Sequence, residues 1–303
     1  MIKLPIECLL IIFNNFQNDS KSLYSCLLVN RYWCRIVVPI LWRNIGEKLG
    51  NRKLINTCLL SLNAEEQVLL IPFKIFLSNY SKPLFEYTSY TTSVCRYLNG
   101  GIISWLNEND YTEVKHRWEC NTDTLVNAVK YSLISMFLRT NERFSYLEVF
   151  GFIDNNNKLI KNLCGNNTIN SLYLYENWID SEGIAEILCN NTTLTSLKLN
   201  GNNNGNNIGI KGAKALAKAL HTNTTLTSLN LSRDNIGSEG GKALANALYL
   251  SVNDIGIEGG KMLVKALCKN TTLISLNLSC NGISFDERKE LTKTLHKKNP
   301  LIC

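Results

Sequence analysis

The 303-residue sequence predicts an α/β chain built in series: three short helices, a mostly helical connector, and a short solenoid of strand–helix units. Three observations carry that expectation. Residues 1–42 are dense in large apolar side chains at helical spacing, and from about residue 144 the chain repeats one phrase. The residues between hold helical stripes and prolines but no repeat. With 45% hydrophobic and 19% charged residues, the composition is that of a folded chain rather than a disordered one.

The first element opens on Pro5, which suits a helix start because its fixed φ helps there and its missing N–H costs little. Leu9, Ile12, Phe13 and Phe16 follow at i, i+3, i+4 and i+7, one apolar stripe. Asn18, Asp19 and Ser20 interrupt it and offer caps. Leu23, Cys26 and Leu27 make a second stripe ending at Asn30. Trp33, Ile36, Val37, Leu41 and Trp42 make a third, which Pro39 is expected to bend. A unit of about 40 residues is near the lower limit for an independent core. This one carries more large side chains than three short helices can hide, and the surplus predicts a partner surface.

The order LP-x-ECL-x-x-IF, then SL-x-x-C-x-LVNR-x-WC, then VP-x-LW resembles the F-box, most closely that of fungal F-box proteins with leucine-rich repeats. The resemblance implies docking onto the Skp-family adaptor of an SCF-type ubiquitin ligase. It assigns Leu4, Pro5, Leu9, Ile12 and Phe13, with Trp33, Leu41 and Trp42, to forming or supporting the docking surface. The domain expectation is an F-box over 1–45, a connector over 46–143 and repeats over 144–303.

Bulk properties narrow the class. The net charge is +7 with a pI near 8.8, but the basic residues are scattered without a dense run, so a nucleic-acid partner is not expected. Lys3 precedes an apolar run, yet Pro5 and Glu7 interrupt it and Asn14-Asn15 is no small-residue cleavage site. No stretch approaches the roughly 20 apolar residues of a membrane helix. The eleven cysteines form no Cys-x-x-Cys pair and only three histidines accompany them. That argues against metal and disulfides, and for reduced thiols buried as small apolar groups. Asn191-Thr192-Thr193 and Asn223-Thr224-Thr225 read as turn chemistry rather than glycan sites. The expected location is cytosol or nucleus.

Residues 43–140 are less informative. Arg52 to Leu62 and Glu65 to Leu70 read as helices, the second capped by Asn63 with Glu66 three residues on. Pro72 and Pro83 punctuate an irregular stretch, and Gly100-Gly101 reads as a break. Thr122-Asp123 caps an amphipathic helix with Leu125, Val126, Val129, Leu133, Phe137 and Leu138 along one side. The aromatics Phe73, Phe76, Phe85, Tyr87, Trp105 and Trp118 read as core.

The repeat phrases are SLYLYENWI at 171–179, SLKLNGNNN at 196–204, SLNLSRDNI at 228–236 and SLNLSCNGI at 275–283, with LYLSVNDI at 248–255 in the same frame. After each strand comes glycine turn chemistry and then a helix with recurring pairs such as Ala215-Leu216 and Ala219-Leu220. The pattern resembles the ribonuclease-inhibitor type of leucine-rich repeat, which implies a horseshoe of about five to six units. One strand and one helix cannot bury their own leucines, and stacking aligns those leucines into rows. Asn177, Asn202, Asn253 and Asn281 are expected to turn inward as a ladder of amides, with Asp234 as a defect. Leu147-Glu148-Val149 is a candidate degenerate first strand. The second leucines, Leu174, Leu199, Leu231, Leu250 and Leu278, are separated by 25, 32, 19 and 28 residues. The longest interval holds an extra Asn/Gly loop. The shortest is too short for a full unit, so a lost or distorted strand is expected near 248–250.

No catalytic site is expected, and no cofactor or metal. Gly240-Gly241-Lys242 and Gly259-Gly260-Lys261 lack the Ser/Thr and the earlier glycine of a phosphate loop and recur at one repeat phase. His116, His221 and His296 sit in no nucleophile motif. Cys164 and Cys189 recur in phase and read as core packing. Lys214, Lys218, Lys242 and Lys265 read as solvent-side. Binding is left to the side chains flanking the strand leucines, where Tyr173, Tyr175, Trp178, Lys198, Arg233 and Tyr249 are the aromatic and basic candidates for holding a target protein. The reading is a non-enzymatic substrate-recognition adaptor. Its alternatives are a repeat scaffold or inhibitor whose helical start is only a cap, and a GTPase-activating repeat protein, for which no polar cluster is evident.

Overall fold

Pro5, at φ −55° and ψ 150°, is the N-cap of helix α1 (Ile6–Asn15), one position before the first helical residue. Asp19 caps α2 (Ser20–Leu27) by accepting from the Lys21 and Ser22 N–H groups, and the Ser22 hydroxyl, donating to Oδ2 at 2.6 Å, does most to hold its carboxyl below the usual range, with the Ser22 N–H next. Asn30 caps α3 (Arg31–Arg43), which runs on through Pro39. The computed structural model describes residues 4–77, 82–111, 124–150, 157–175, 181–200 and 209–232. They belong to two compact units, residues 1–119 with 123–145, and residues 120–122 with 146–303.

In the first unit the three helices close around Leu9, Phe13, Leu23, Ile36, Val37 and Ile40. Trp33 meets Phe13 edge to face at 4.9 Å. The stripe expected on α1 is only half used: Leu9 and Phe13 are buried, while Ile12 and Phe16 stay exposed. The helix is apolar nearly all round, and its neighbours cover one side of it.

The connector fuses with this trio. Trp42 stacks on Tyr87 at 4.8 Å, and the Thr92 N–H and hydroxyl both donate to the Arg43 carbonyl. Helix α4 (Arg52–Leu59) and the single turn α5 (Ala64–Gln67) follow. The expected cap on α5 is a reciprocal box: Asn63 accepts from the Glu66 N–H at 2.8 Å, and Glu66 from the Asn63 N–H at 2.9 Å. A 3₁₀ segment, Val68–Phe73, contains Pro72. After the short strand β1 (Ser93–Val94), helix α6 (Tyr97–Glu108) passes straight through Gly100 and Gly101, where a break was expected. Gly101 serves close packing instead, because a Cβ there would run into the Leu49 carbonyl and meet Ile55 at 2.9 Å.

Helix α7 (Thr124–Thr140) departs further from expectation. It is buried from Val126 to Phe137 on every side, not along one stripe, because connector segments surround it. Its polar residues are accommodated individually. The Ser132 hydroxyl donates to the Glu66 carbonyl at 2.7 Å, and Lys130 Nζ donates to Asn127 Oδ1 at 3.0 Å. Arg139 closes on the buried Glu66 carboxylate with Nε and Nη2 at 2.6 and 2.9 Å. Trp105 is core as expected, whereas Phe76 is exposed.

The second unit shows the repeat. Parallel strands β2 (Tyr146–Phe150), β3 (Ser171–Tyr175), β4 (Ser196–Asn200) and β5 (Ser228–Ser232) alternate with helices α8 (Asn157–Gly165), α9 (Ser181–Asn190) and α10 (Gly209–Thr222). The expected degenerate first strand is β2. Register puts Leu147, Leu172, Leu197 and Leu229 in one row and Val149, Leu174, Leu199 and Leu231 in the next. The first row is fully buried, as are Val149, Leu174 and Leu199 of the second. Each such side chain contributes roughly 1.5–3 kcal/mol on burial. The 32-residue interval is absorbed without a slip, since Leu199 still faces Leu231. The loop 202–207 and the short interval near 248–250 lie outside the described residues.

A ladder of amides organises the described units where each helix gives way to the next strand. The Asn177, Asn202, Asn253, Asn281 and Asp234 positions lie outside the described residues. The observed rungs are Asn166, Asn191 and Asn223, where each helix gives way to the next strand. Asn191 Oδ1 accepts from the Thr193 and Leu194 N–H groups, and its Nδ2 donates to the carbonyls of Leu163 and Asn166 one unit back, both at 2.9 Å. Asn223 repeats this, accepting from Thr225 and Leu226 and donating to the Leu188 carbonyl at 2.8 Å. The Thr193 and Thr225 hydroxyls add bonds to the carbonyls of Ile169 and Leu194. At 4% exposure Asn191 is sealed, so its Asn-x-Thr triplet is turn chemistry.

Candidate functional site

Two surfaces stand out. The first belongs to the helical trio. Helix α1 buries Leu9 and Phe13 and leaves Ile6, Leu10, Ile11, Ile12 and Phe16 in solvent, with Leu4 and Pro5 exposed just before it. A second apolar group follows at the α2–α3 turn: Tyr24, Leu28, Val29 and Tyr32 are all exposed, Leu28 at 73%. Ten large apolar residues therefore lie open between Leu4 and Tyr32. Scattered exposed apolar residues are ordinary, but a cluster this dense marks an interaction surface.

The residues assigned to this surface divide into three groups. Leu4, Pro5 and Ile12 are exposed. Leu9 and Phe13 are core and hold α1 against α3. Trp33 and Leu41 pack against the core partly buried, and Trp42 is engaged by Tyr87. Sequence reasoning passed over Ile6, Leu10, Ile11, Tyr24, Leu28, Val29 and Tyr32. The signal for α1 was the absence of any polar stripe between Ile6 and Phe13, apart from Glu7 and Cys8.

The second surface is the open side of the repeat sheet. Between the buried rows, register brings Glu148, Tyr173, Lys198 and Asn230 into one line and Phe150, Tyr175, Asn200 and Ser232 into another. Phe150 stacks on Tyr175 at 5.3 Å, Tyr175 lies 6.1 Å from Tyr173, and Lys198 Nζ sits 4.4 Å above the Tyr173 ring. Three candidates, Tyr173, Tyr175 and Lys198, are thus brought together. Phe150 was missed, because the degenerate strand was identified by Leu147 and Val149 alone. Trp178, Arg233 and Tyr249 lie outside the described residues.

The described thiols do not form a buried set. Of the seven described cysteines, none in a disulfide, only Cys58 is fully buried, and desolvation by its burial pushes its pKa up to about 12. Cys164 is half-buried, and desolvation, with the Glu186 carboxylate adding to it, pushes it up to about 11. Neither has the thiolate character of a nucleophile. Cys189, expected in the core, is exposed, as is Cys8. Lys214 and Lys218 are solvent-side. Among the described residues no three His, Cys, Asp or Glu side chains are grouped to hold a metal, and no helix is long and apolar enough to cross a membrane.

Comparison with known proteins bears on both surfaces. A family model described as F-box-like matches residues 1–48, and one described as Leucine Rich repeat matches residues 222–245 and 269–284. No curated protein matches. Among solved structures the chain is similar to one titled "Leiomodin-1 Actin-Binding Site 2 (ABS2)", at 23% identity and a TM-score of 0.30, over 49% of this chain and 83% of that one. The chain therefore joins an F-box-like amino terminus to leucine-rich repeats within a mixed α/β architecture.

Proposed function

We propose that this protein is the substrate-recognition subunit of an SCF-type ubiquitin ligase. The helical trio docks on the Skp-family adaptor, and the repeats, of the ribonuclease-inhibitor type, hold a target protein. The observation that carries this reading is the coincidence of two independent facts: the F-box-like match spans residues 1–48, and the same stretch leaves ten large apolar side chains uncovered. Leu4, Pro5, Ile12, Leu28 and Val29 touch the adaptor, and Leu9, Phe13, Trp33, Leu41 and Trp42 support them. The chain makes and breaks no bond itself. Holding target and ligase together raises the effective concentration of one at the other.

The test is co-purification with the Skp-family adaptor. The wild-type chain is retained. Leu4→Ala with Pro5→Ala lowers retention, and Leu28→Glu with Ile12→Glu abolishes it, while circular dichroism and melting stay within about 0.5 kcal/mol of wild type because those positions are solvent-exposed. Undiminished retention by both double variants refutes the docking surface. Absence of adaptor binding by the wild-type chain leaves a repeat scaffold with a helical cap.

A further inference from the structure

We propose that the α2–α3 edge of the helical trio is built to meet an acidic protein face. Arg31 and Arg35 steer and orient the adaptor, which presents carboxylates beside the apolar ground that Leu28 and Val29 cover. The inference rests on the adaptor-docking reading and names the chemistry of the partner's surface.

The charge along this edge is one-sided. From Ser20 to Gly46 the sequence holds Lys21, Arg31, Arg35 and Arg43 and no Asp or Glu. Lys21, Arg31 and Arg35 are exposed, and none of them forms an ion pair among the described residues. Asp19, the acid just before them, is taken up by the Ser22 hydroxyl and the first N–H groups of α2. Arg43 turns elsewhere, its Nη1 donating to Asn14 Oδ1 at 3.4 Å.

The two exposed arginines also sit where their own helix disfavours them. Arg31 is the first residue of α3, at the positive end of the helix dipole, and the first turn holds no acid to offset it. Arg35 follows one turn on along the same face, and like charges at i and i+4 repel. Among the described residues no carboxylate offsets either cost. Side chains that oppose their local structure without an internal partner point to an external one.

Their neighbours set the kind of partner. Lys21, Tyr24 and Leu28 follow at i, i+3 and i+7 along α2 and its C-cap, and Val29 and Tyr32 lie either side of Arg31. All are exposed, Tyr24 at 61% and Leu28 at 73%. Apolar surface interleaved with guanidinium groups suits a protein segment whose apolar side chains are edged by Asp or Glu, each carboxylate accepting two parallel bonds from one arginine. A nucleic acid also answers to cations and tyrosines, but it offers nothing to cover Leu28, Val29 and the aliphatic side of α1.

The test follows association and dissociation of the full chain and the Skp-family adaptor by biolayer interferometry at roughly 0.05 and 0.5 M salt. Wild-type association slows severalfold as salt rises. Arg31→Glu with Arg35→Glu slows association about tenfold at low salt and removes most of its salt dependence, while dissociation changes less than about threefold. Arg31→Lys with Arg35→Lys keeps the association rate. Lys214→Glu with Lys218→Glu, the same charge change on the exposed side of α10, alters it less than about twofold. Arg31→Glu alone raises the melting temperature by roughly 1–3 °C, because it relieves the start of α3. Unchanged or faster association of the reversed-charge variant, an equal loss in the α10 variant, a lower melting temperature for Arg31→Glu, or tighter binding of an oligothymidine than of the adaptor each overturns the proposal. If the wild-type chain does not bind the adaptor at all, the ligase reading falls and takes this inference with it. Binding that ignores both salt and the arginines defeats this inference alone.

Discussion

The two ends of the molecule dispose of their apolar side chains in opposite ways. All fifteen exposed large hydrophobic residues among the described ones lie between Leu4 and Tyr97, and none lies in the repeats. A repeat unit cannot shelter its leucines alone, but it is always supplied with a neighbour whose leucines match in phase, so the rows Leu147–Leu172–Leu197–Leu229 close completely. Among the described residues the helical trio has no such neighbour on the outer side of α1, where Ile6, Leu10, Ile11 and Ile12 stay exposed. What reaches solvent also differs in kind. It is mostly aliphatic and broad on the trio, but narrow, aromatic and polar on the sheet. Broad apolar surface suits a lasting subunit contact, and rigid aromatics with polar companions suit exchange between partners.

The contrast can be broken most severely at Gly101. Gly101→Ala drives a Cβ into the Leu49 carbonyl, a backbone atom that cannot rotate away, and is expected to cost about 3 kcal/mol in the first unit. Amide hydrogen exchange checks it: protection falls in α6 and α4 while strands β3 and β4 keep theirs. Uniform loss across the chain would mean that the units are not separate in stability.

Asn191 is the counterpart in the repeats. Asn191→Ala removes the acceptor of two N–H groups and the donor to two carbonyls at a buried site, for about 2–3 kcal/mol, and Asn191→Asp keeps the acceptor but not the donor. Urea unfolding should rank wild type above Asp and Asp above Ala, with the loss confined to the repeats. Equal melting of all three would remove the ladder from the account of how units join.

Thiol labelling is the gentlest probe. At pH 8, Cys8 and Cys189 should modify within minutes. Cys58, held up to about 12 by burial, should label only as the first unit opens, and Cys164, at about 11, should label far more slowly than Cys189. A raised pKa keeps a thiol protonated, and so unreactive, at all pH values below it. Peptide mapping by mass spectrometry distinguishes the sites, and prompt labelling of Cys58 would contradict its burial.

How much was legible in the sequence depended on whether a signal was periodic. The three helices, the strand phrases and the Asn63–Glu66 box could be read because each is a local pattern with a local cause. Gly100-Gly101 misled because a glycine pair is equally the mark of a turn and of close helix packing, and only the position of the Leu49 carbonyl decides between them. Helix α7 misled for a related reason. Ser132, Asn127 and Lys130 look like a solvent face until Glu66 and the surrounding helices are in place.

The same division holds for the candidate surfaces. By itself the sequence determined that residues 1–42 carry too much apolar bulk for three helices, and that the repeats must stack, since both follow from counting and spacing. Which of those apolar residues stay outside was decided only by tertiary packing: Leu9 and Ile12 share a stripe, but the turn of α1 against α3 buries one and exposes the other. The meeting of Phe150, Tyr175, Tyr173 and Lys198 was likewise a matter of sheet register. Residues some 25 positions apart become neighbours only when parallel strands align without a slip.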